Sequence, residues 1–100
     1  MEGTLLVFNS SARVLFDGDA THSFILKCFA STLGLETQNM AFSLLVGSPL
    51  SGSKVVNKVC KYCETEMSNH RIPFDLKILD ILEYAIILGV DWLQKCMILS

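Results

Sequence analysis

Val14-Leu15-Phe16-Asp17-Gly18-Asp19-Ala20-Thr21-His22-Ser23-Phe24 is the segment around which the rest of the chain can be organised. An apolar run stops at an acidic turn and then restarts. On the N-terminal side, Thr4 to Phe8 reads as a β-branched and apolar strand. Asn9-Ser10-Ser11 supplies turn chemistry, and Ala12 to Phe16 reads as a second strand, so the acidic loop ends a hairpin. On the C-terminal side, Phe24, Ile25, Cys28, Phe29 and Leu33 recur at helical spacing. That spacing predicts a short helix packed on a sheet, with Ser23 as its cap and Gly34 as its stop.

Further along, Phe42 to Val46 is a third apolar run, and Val55, Val56 and Val59 belong to a fourth strand. Between them, Gly47-Ser48-Pro49-Leu50-Ser51-Gly52-Ser53 has the composition of a loop or hairpin tip. Asn69 and His70 mark another turn. Ile72 to Leu79 then reads as a strand with Phe74, Leu76 and Ile78 on one face. Asp91 to Leu99 fits a short helix, with Ile98 and Leu99 also compatible with a terminal strand. Many short strands, one or two short helices and glycine-bearing turns point to a small all-β fold, closed or sandwich-like, with residues 1–100 forming a single domain.

The acidic loop resembles the active-site loop of retroviral and retrotransposon aspartic proteases. There a hydrophobic strand ends in Asp, then Ser or Thr, then Gly, then Ala, and gypsy-type elements of plants commonly continue Thr-His-Ser-Phe. Asp17 and the Ala20 to Phe24 continuation fit, whereas Gly18 stands at the Ser or Thr position and Asp19 at the Gly position. Near the other end, Ile86-Ile87-Leu88-Gly89-Val90-Asp91-Trp92-Leu93 resembles the apolar-apolar-Gly element of the same family followed by an Asp-Trp-Leu. The resemblance spans Gly3 to Leu93 and implies a retropepsin-like closed barrel subunit.

It also implies an activity. Peptide hydrolysis in this class uses two facing carboxylates that share one proton and activate a water between them, because close like charges do not both ionise easily. One motif per chain supplies one carboxylate, Asp17, so a homodimer about a two-fold axis is implied, acting on a peptide or polyprotein substrate. Asp17 is thus the catalytic candidate, and Gly18, Asp19, Ala20 and Thr21 are its loop. Gly47, Ser48, Pro49, Leu50, Ser51 and Gly52 fall where the family carries its substrate-covering flap. In the family, the residue after the catalytic Asp donates a hydroxyl hydrogen bond across the dimer, and Gly18 has no hydroxyl. Asp19 brings a second carboxylate to the centre. The expectation is an aspartic endopeptidase domain of a retrotransposon polyprotein with activity reduced or lost, or else an inactive dimerisation or peptide-binding module of the same fold. Mildly acidic pH would suit the dyad.

Composition narrows the alternatives. In a chain of 100 residues, 51% are hydrophobic, a balance that points to burial against a second copy or to a fragment of a larger polypeptide. The net charge of −2, with eight scattered Lys and Arg, offers no basic footprint for direct nucleic-acid binding. No apolar run approaches the roughly 20 residues of a membrane-spanning helix, so no membrane partner is expected. The N-terminus carries no basic flank of a signal peptide. Cys28, Cys60, Cys63 and Cys96 read as free thiols of an intracellular, cytoplasmic protein.

Cys60-Lys61-Tyr62-Cys63 is a lone C-x-x-C, and His22 and His70 are not in ligand spacing, so neither a metal nor a cofactor is expected. His22 and Ser23 are adjacent and diverge, which disfavours a nucleophile and base pair. Trp92 reads as packing at the base of the sheet, and Asp75, Asp80 and Glu83 as a solvated acidic face.

Overall fold

The computed structural model describes residues 1–48, 52–80 and 84–99. Strand β1 (Glu2–Val7) pairs antiparallel with β2 (Ser10–Phe16), Val7 opposite Ser10 and Glu2 opposite Leu15. The turn between them is Phe8-Asn9, one residue earlier than the sequence suggested, with φ of 47° and 66°. Two left-handed residues in a two-residue loop match the right-handed twist of the flanking strands. Asn tolerates that conformation, whereas Phe has a Cβ that crowds it. Because Phe8 is 47% exposed, Phe8→Asn gives up little burial and is expected to stabilise the chain by about 0.5–1 kcal/mol, read from urea unfolding.

After the acidic loop comes a short strand, β3 (Phe24–Leu26), and only then α1 (Lys27–Thr32). This corrects the helix expected from Ser23. Phe24 and Ile25 are both buried and extended, Phe24 against Ile87 and Lys77, and Ile25 against Ile86 and Ile78. Sheet pairing on both sides thus overrides the helical spacing. The helix N-cap is Leu26, with no side-chain cap, so Ser23 does not cap it. Gly34 ends the helix as expected, at φ 66°.

Strand β4 (Gln38–Ser48) pairs with β5 (Gly52–Met67), and β5 with β6 (His70–Leu79) through the turn Ser68-Asn69. Within β5 and β6, Cys60 faces Leu76 and Cys63 faces Phe74, leaving Lys61 and Tyr62 against Asp75 alone. This two-against-one bulge is held by the Tyr62 N–H donating to Asp75 Oδ1 at 2.9 Å, with Tyr62 at φ 53°. Asp75 is therefore a bulge clamp rather than part of a solvated face. Asp80 is exposed as read, and Glu83 lies outside the described residues. The bulge also turns Cys60 and Cys63 to the same interior side, where both are buried free thiols. A hydrogen bond to Cys60, reinforced by burial, pushes the Cys63 thiol well above the ordinary range.

Strand β7 (Ile86–Leu88) completes the sheet, in the order β1-β2-β7-β3-β6-β5-β4. A β1 to β5 pairing, Leu6 opposite Glu66 and Val7 opposite Thr65, closes six of these strands into a barrel and leaves β4 outside the ring on β5. The mostly β closed barrel with two short helices agrees with the fold class read from sequence. The last element is helix α2 (Val90–Leu99), so the terminal-strand alternative falls away.

The main core packs Leu5, Val7, Val14, Ile25, Ile72, Leu76, Ile86, Leu88 and Trp92. Trp92 Nε1 donates to Thr65 Oγ1 at 3.2 Å, and the Thr65 hydroxyl donates to the Ile72 carbonyl. This buried relay satisfies the one polar atom that Trp92 brings into the barrel. Thr65→Val keeps the shape and leaves the indole N–H unpaired, so a loss of about 1–3 kcal/mol is expected in chemical denaturation.

Candidate active site

The acidic loop is anchored at both ends by backbone. Parallel pairing of β2 with β7 sets Phe16 beside Leu88, and the Asp17 N–H then donates to the Leu88 carbonyl at 2.9 Å. The loop closes through Ala20 N–H to Asp17 O at 3.2 Å, and the Val90 N–H donates to Ala20 O at 2.9 Å. Within this frame, the Asp19 N–H donates to Asp17 Oδ1 at 3.0 Å. The amide at position 19 therefore reaches the carboxylate of Asp17 although a side chain has replaced the expected glycine. Neither Gly18 nor Asp19 has a positive φ, so the loop holds this shape without left-handed strain.

Gly89 makes the close approach possible. A Cβ built there would lie 2.5 Å from the Ala20 carbonyl oxygen and 2.6 Å from that of His22. Beneath it, the Gly89 N–H donates to Ser23 Oγ at 2.9 Å, and Ser23 Oγ donates to Asp91 Oδ1 at 2.7 Å. Asp91 Oδ1 also accepts the Trp92 N–H at 2.8 Å, which fixes the first turn of α2. The loop, β7 and α2 are thereby joined through two side chains whose roles were missed in the sequence. The available signal was a serine between the acidic loop and an apolar run, and it was misread as a helix cap.

Above Asp17 lies an open cleft of about 580 Å³. Asp17, Asp19, Ala20, Thr21 and His22 line it on the loop side, and Leu15, Phe24, Leu79, Tyr84 and Ile87 supply apolar wall. Leu44, Leu45, Val46, Gly47 and Lys54 come from the β4 and β5 hairpin. A second apolar cluster of Phe24, Val56 and Leu79, with Met40, Leu44, Val46 and Ile87 against it, ties that hairpin to the barrel. Of the flap residues read from sequence, Gly47 and Ser48 end β4, Gly52 starts β5 opposite Ser48, and Pro49, Leu50 and Ser51 lie outside the described residues.

Of the residues read from sequence, the cleft brings together Asp17, Asp19, Ala20, Thr21 and Gly47, and Gly18 is not on its lining. Sequence reading did not find Leu44, Leu79, Ile87 or Lys54, because these come from strands distant in the chain, whereas Leu15 and Phe24 flank the loop itself. A different cleft, of about 470 Å³ between α1 and β5, has no connection to Asp17. Among the described residues, no three His, Cys, Asp or Glu side chains converge as a metal site. No helix of the described residues is long and apolar enough to cross a membrane.

A closed barrel with an aspartate held at the base of a cleft, on a loop braced by an apolar-apolar-Gly strand, defines a retropepsin-like domain. The retroviral aspartyl protease family model matches residues 1–99, and the chain belongs to that family. Two solved structures share the fold. The EIAV protease complexed with the inhibitor HBY-793 superposes with a TM-score of 0.75 at 19% identity, over 97% of this chain and 88% of that one. The retroviral protease-like domain of Ddi1 from Leishmania major gives 0.72 at 14% identity, over 95% and 75%. No curated protein sequence matches the chain.

Proposed function

We propose that residues 1–100 form the aspartic endopeptidase domain of a gypsy-type, plant-like retrotransposon polyprotein, an intracellular homodimer in which each protomer contributes one Asp17. The observation that carries this reading is the Asp17 carboxylate, held by the Asp19 N–H at 3.0 Å at the foot of an apolar cleft under a β-hairpin. Two such carboxylates facing across a two-fold axis would share one proton. The ionised one takes a proton from a water as it attacks the scissile carbonyl, and the protonated one gives its proton to the carbonyl oxygen. Exposed apolar side chains on the hairpin, among them Phe42, Leu45 and Val55, suit burial against a substrate strand or a second copy.

Gly18 and Asp19 set the level of activity in this reading. Without a hydroxyl at position 18 the two loops lose their cross-dimer tie, and Asp19 adds two carboxylates to a centre built for one negative charge. Activity is therefore reduced or lost. The same two residues favour the second reading, an inactive dimerisation or peptide-binding module. Peptide cleavage across roughly pH 4 to 7, comparing the natural chain with Gly18→Ser/Asp19→Gly and Asp17→Asn, tests both. Cleavage by the repaired chain alone supports a protease scaffold that has lost function. Cleavage by the natural chain that Asp17→Asn abolishes identifies a working enzyme, and silence from natural and repaired chains alike counts against the proteolytic reading.

A further inference from the structure

Asp19 has no counterpart in the motif, yet it is built into the cleft rather than displaced from it. Its backbone N–H is engaged with Asp17 Oδ1, and its carboxylate is exposed on the cleft's lining beside Asp17. Among the described residues, no protein group is bonded to that carboxylate, while the walls above it are apolar: Leu15, Phe24, Leu44, Leu79 and Ile87. Among the described residues, Lys54 on the β5 wall is the permanent cation lining the same cleft, and His22 lines it from the loop side. Asp17 and Asp19 outnumber Lys54 on this lining, so its ionisable side chains are mostly acidic.

We propose that Asp19 is a specificity-determining residue, which makes the cleft select extended peptides that carry a Lys or Arg among apolar residues over the Asp17 position. This rests on the peptide-cleft reading above and applies whether or not the bond is cut. The physical reason is differential. Apolar walls bind apolar side chains with little discrimination between them, whereas an exposed carboxylate beside them favours a cation and penalises an anion. Lys54 opposes the effect from the hairpin but is the single permanent cation on the lining among the described residues.

The test is fluorescence anisotropy with labelled ten-residue extended apolar peptides that differ only in a central Lys, Leu or Glu, titrated with the full chain. In the natural chain, the Lys peptide is expected to bind about fivefold to tenfold tighter than the Leu peptide at low ionic strength. The Glu peptide should be the weakest, and high salt should narrow the spread. Asp19→Asn should bring the Lys and Leu peptides to within about twofold, while Asp19→Glu should retain the preference. A preference for Leu or Glu in the natural chain, or a Lys preference that survives Asp19→Asn, overturns the proposal. If a cooperatively folded chain binds none of the peptides, the peptide-cleft reading fails and the proposal falls with it.

Discussion

Gly18→Ser/Asp19→Gly is expected to raise kcat/KM for peptide cleavage by at least about a hundredfold over the natural chain, which should lie near the level of Asp17→Asn. A catalytic group misplaced by about an ångström costs roughly that factor, equivalent to about 2.7 kcal/mol of transition-state stabilisation. The structure makes the substitution sterically cheap. Among the described residues, no atom beyond those of its chain neighbours lies within 4 Å of a Cβ built on Gly18, and the residue has no positive φ, so a serine fits the protomer as it stands. Glycine at position 19 keeps the backbone N–H that Asp17 accepts and removes only the Cβ and the extra carboxylate. The repaired chain should show a bell-shaped pH profile on the acidic side of neutrality, since a carboxylate pair sharing one proton titrates in two separated steps. Equal rates for the natural and repaired chains would mean that neither the missing hydroxyl nor Asp19 limits catalysis.

Gly89→Ala is expected to destabilise the fold by about 3 kcal/mol or more, a large share of the about 5–15 kcal/mol that holds a domain of this size folded. The added methyl would sit 2.5 Å from one carbonyl oxygen and 2.6 Å from another. Both are backbone atoms, and one of them, Ala20 O, already accepts the Val90 N–H, so neither can move without breaking the loop. Circular dichroism and urea unfolding would measure the loss. Ser23→Ala tests the same region more gently. It removes the acceptor for the Gly89 N–H and the donor to Asp91, and should cost about 1–3 kcal/mol with the fold retained. A stable Gly89→Ala chain would show that the loop and β7 are not locked together as described.

The candidate site was legible where its chemistry is local. Asp17 ends an apolar strand, and its loop neighbours follow directly, so residue order alone brings them together. Gly89 was legible from its motif, although the reason it must be glycine was not, since the two carbonyls it packs against belong to residues far earlier in the chain. Ser23 was misread for the same reason. Its neighbours Phe24 and Ile25 sit at helical spacing with Cys28 and Phe29, and nothing local reveals that β6 and β7 pair with them on either side. Asp75 looked like a surface acid because its partner, the Tyr62 N–H, lies across a bulge that no period-two pattern predicts.

By itself the sequence determined the class of fold and named Asp17 as the candidate carboxylate, with Gly18 and Asp19 beside it. Those follow from short-range patterning: alternation that makes strands, turn residues that end them, and a motif read in order. Tertiary structure alone decided that the Asp19 amide still reaches Asp17, that β1 closes the barrel on β5, and that apolar walls and Lys54 converge over the acidic loop. Strand pairing brings together residues whose separation along the chain carries no periodic signal, so the shape of the cleft is set by the sheet's topology rather than by any one segment.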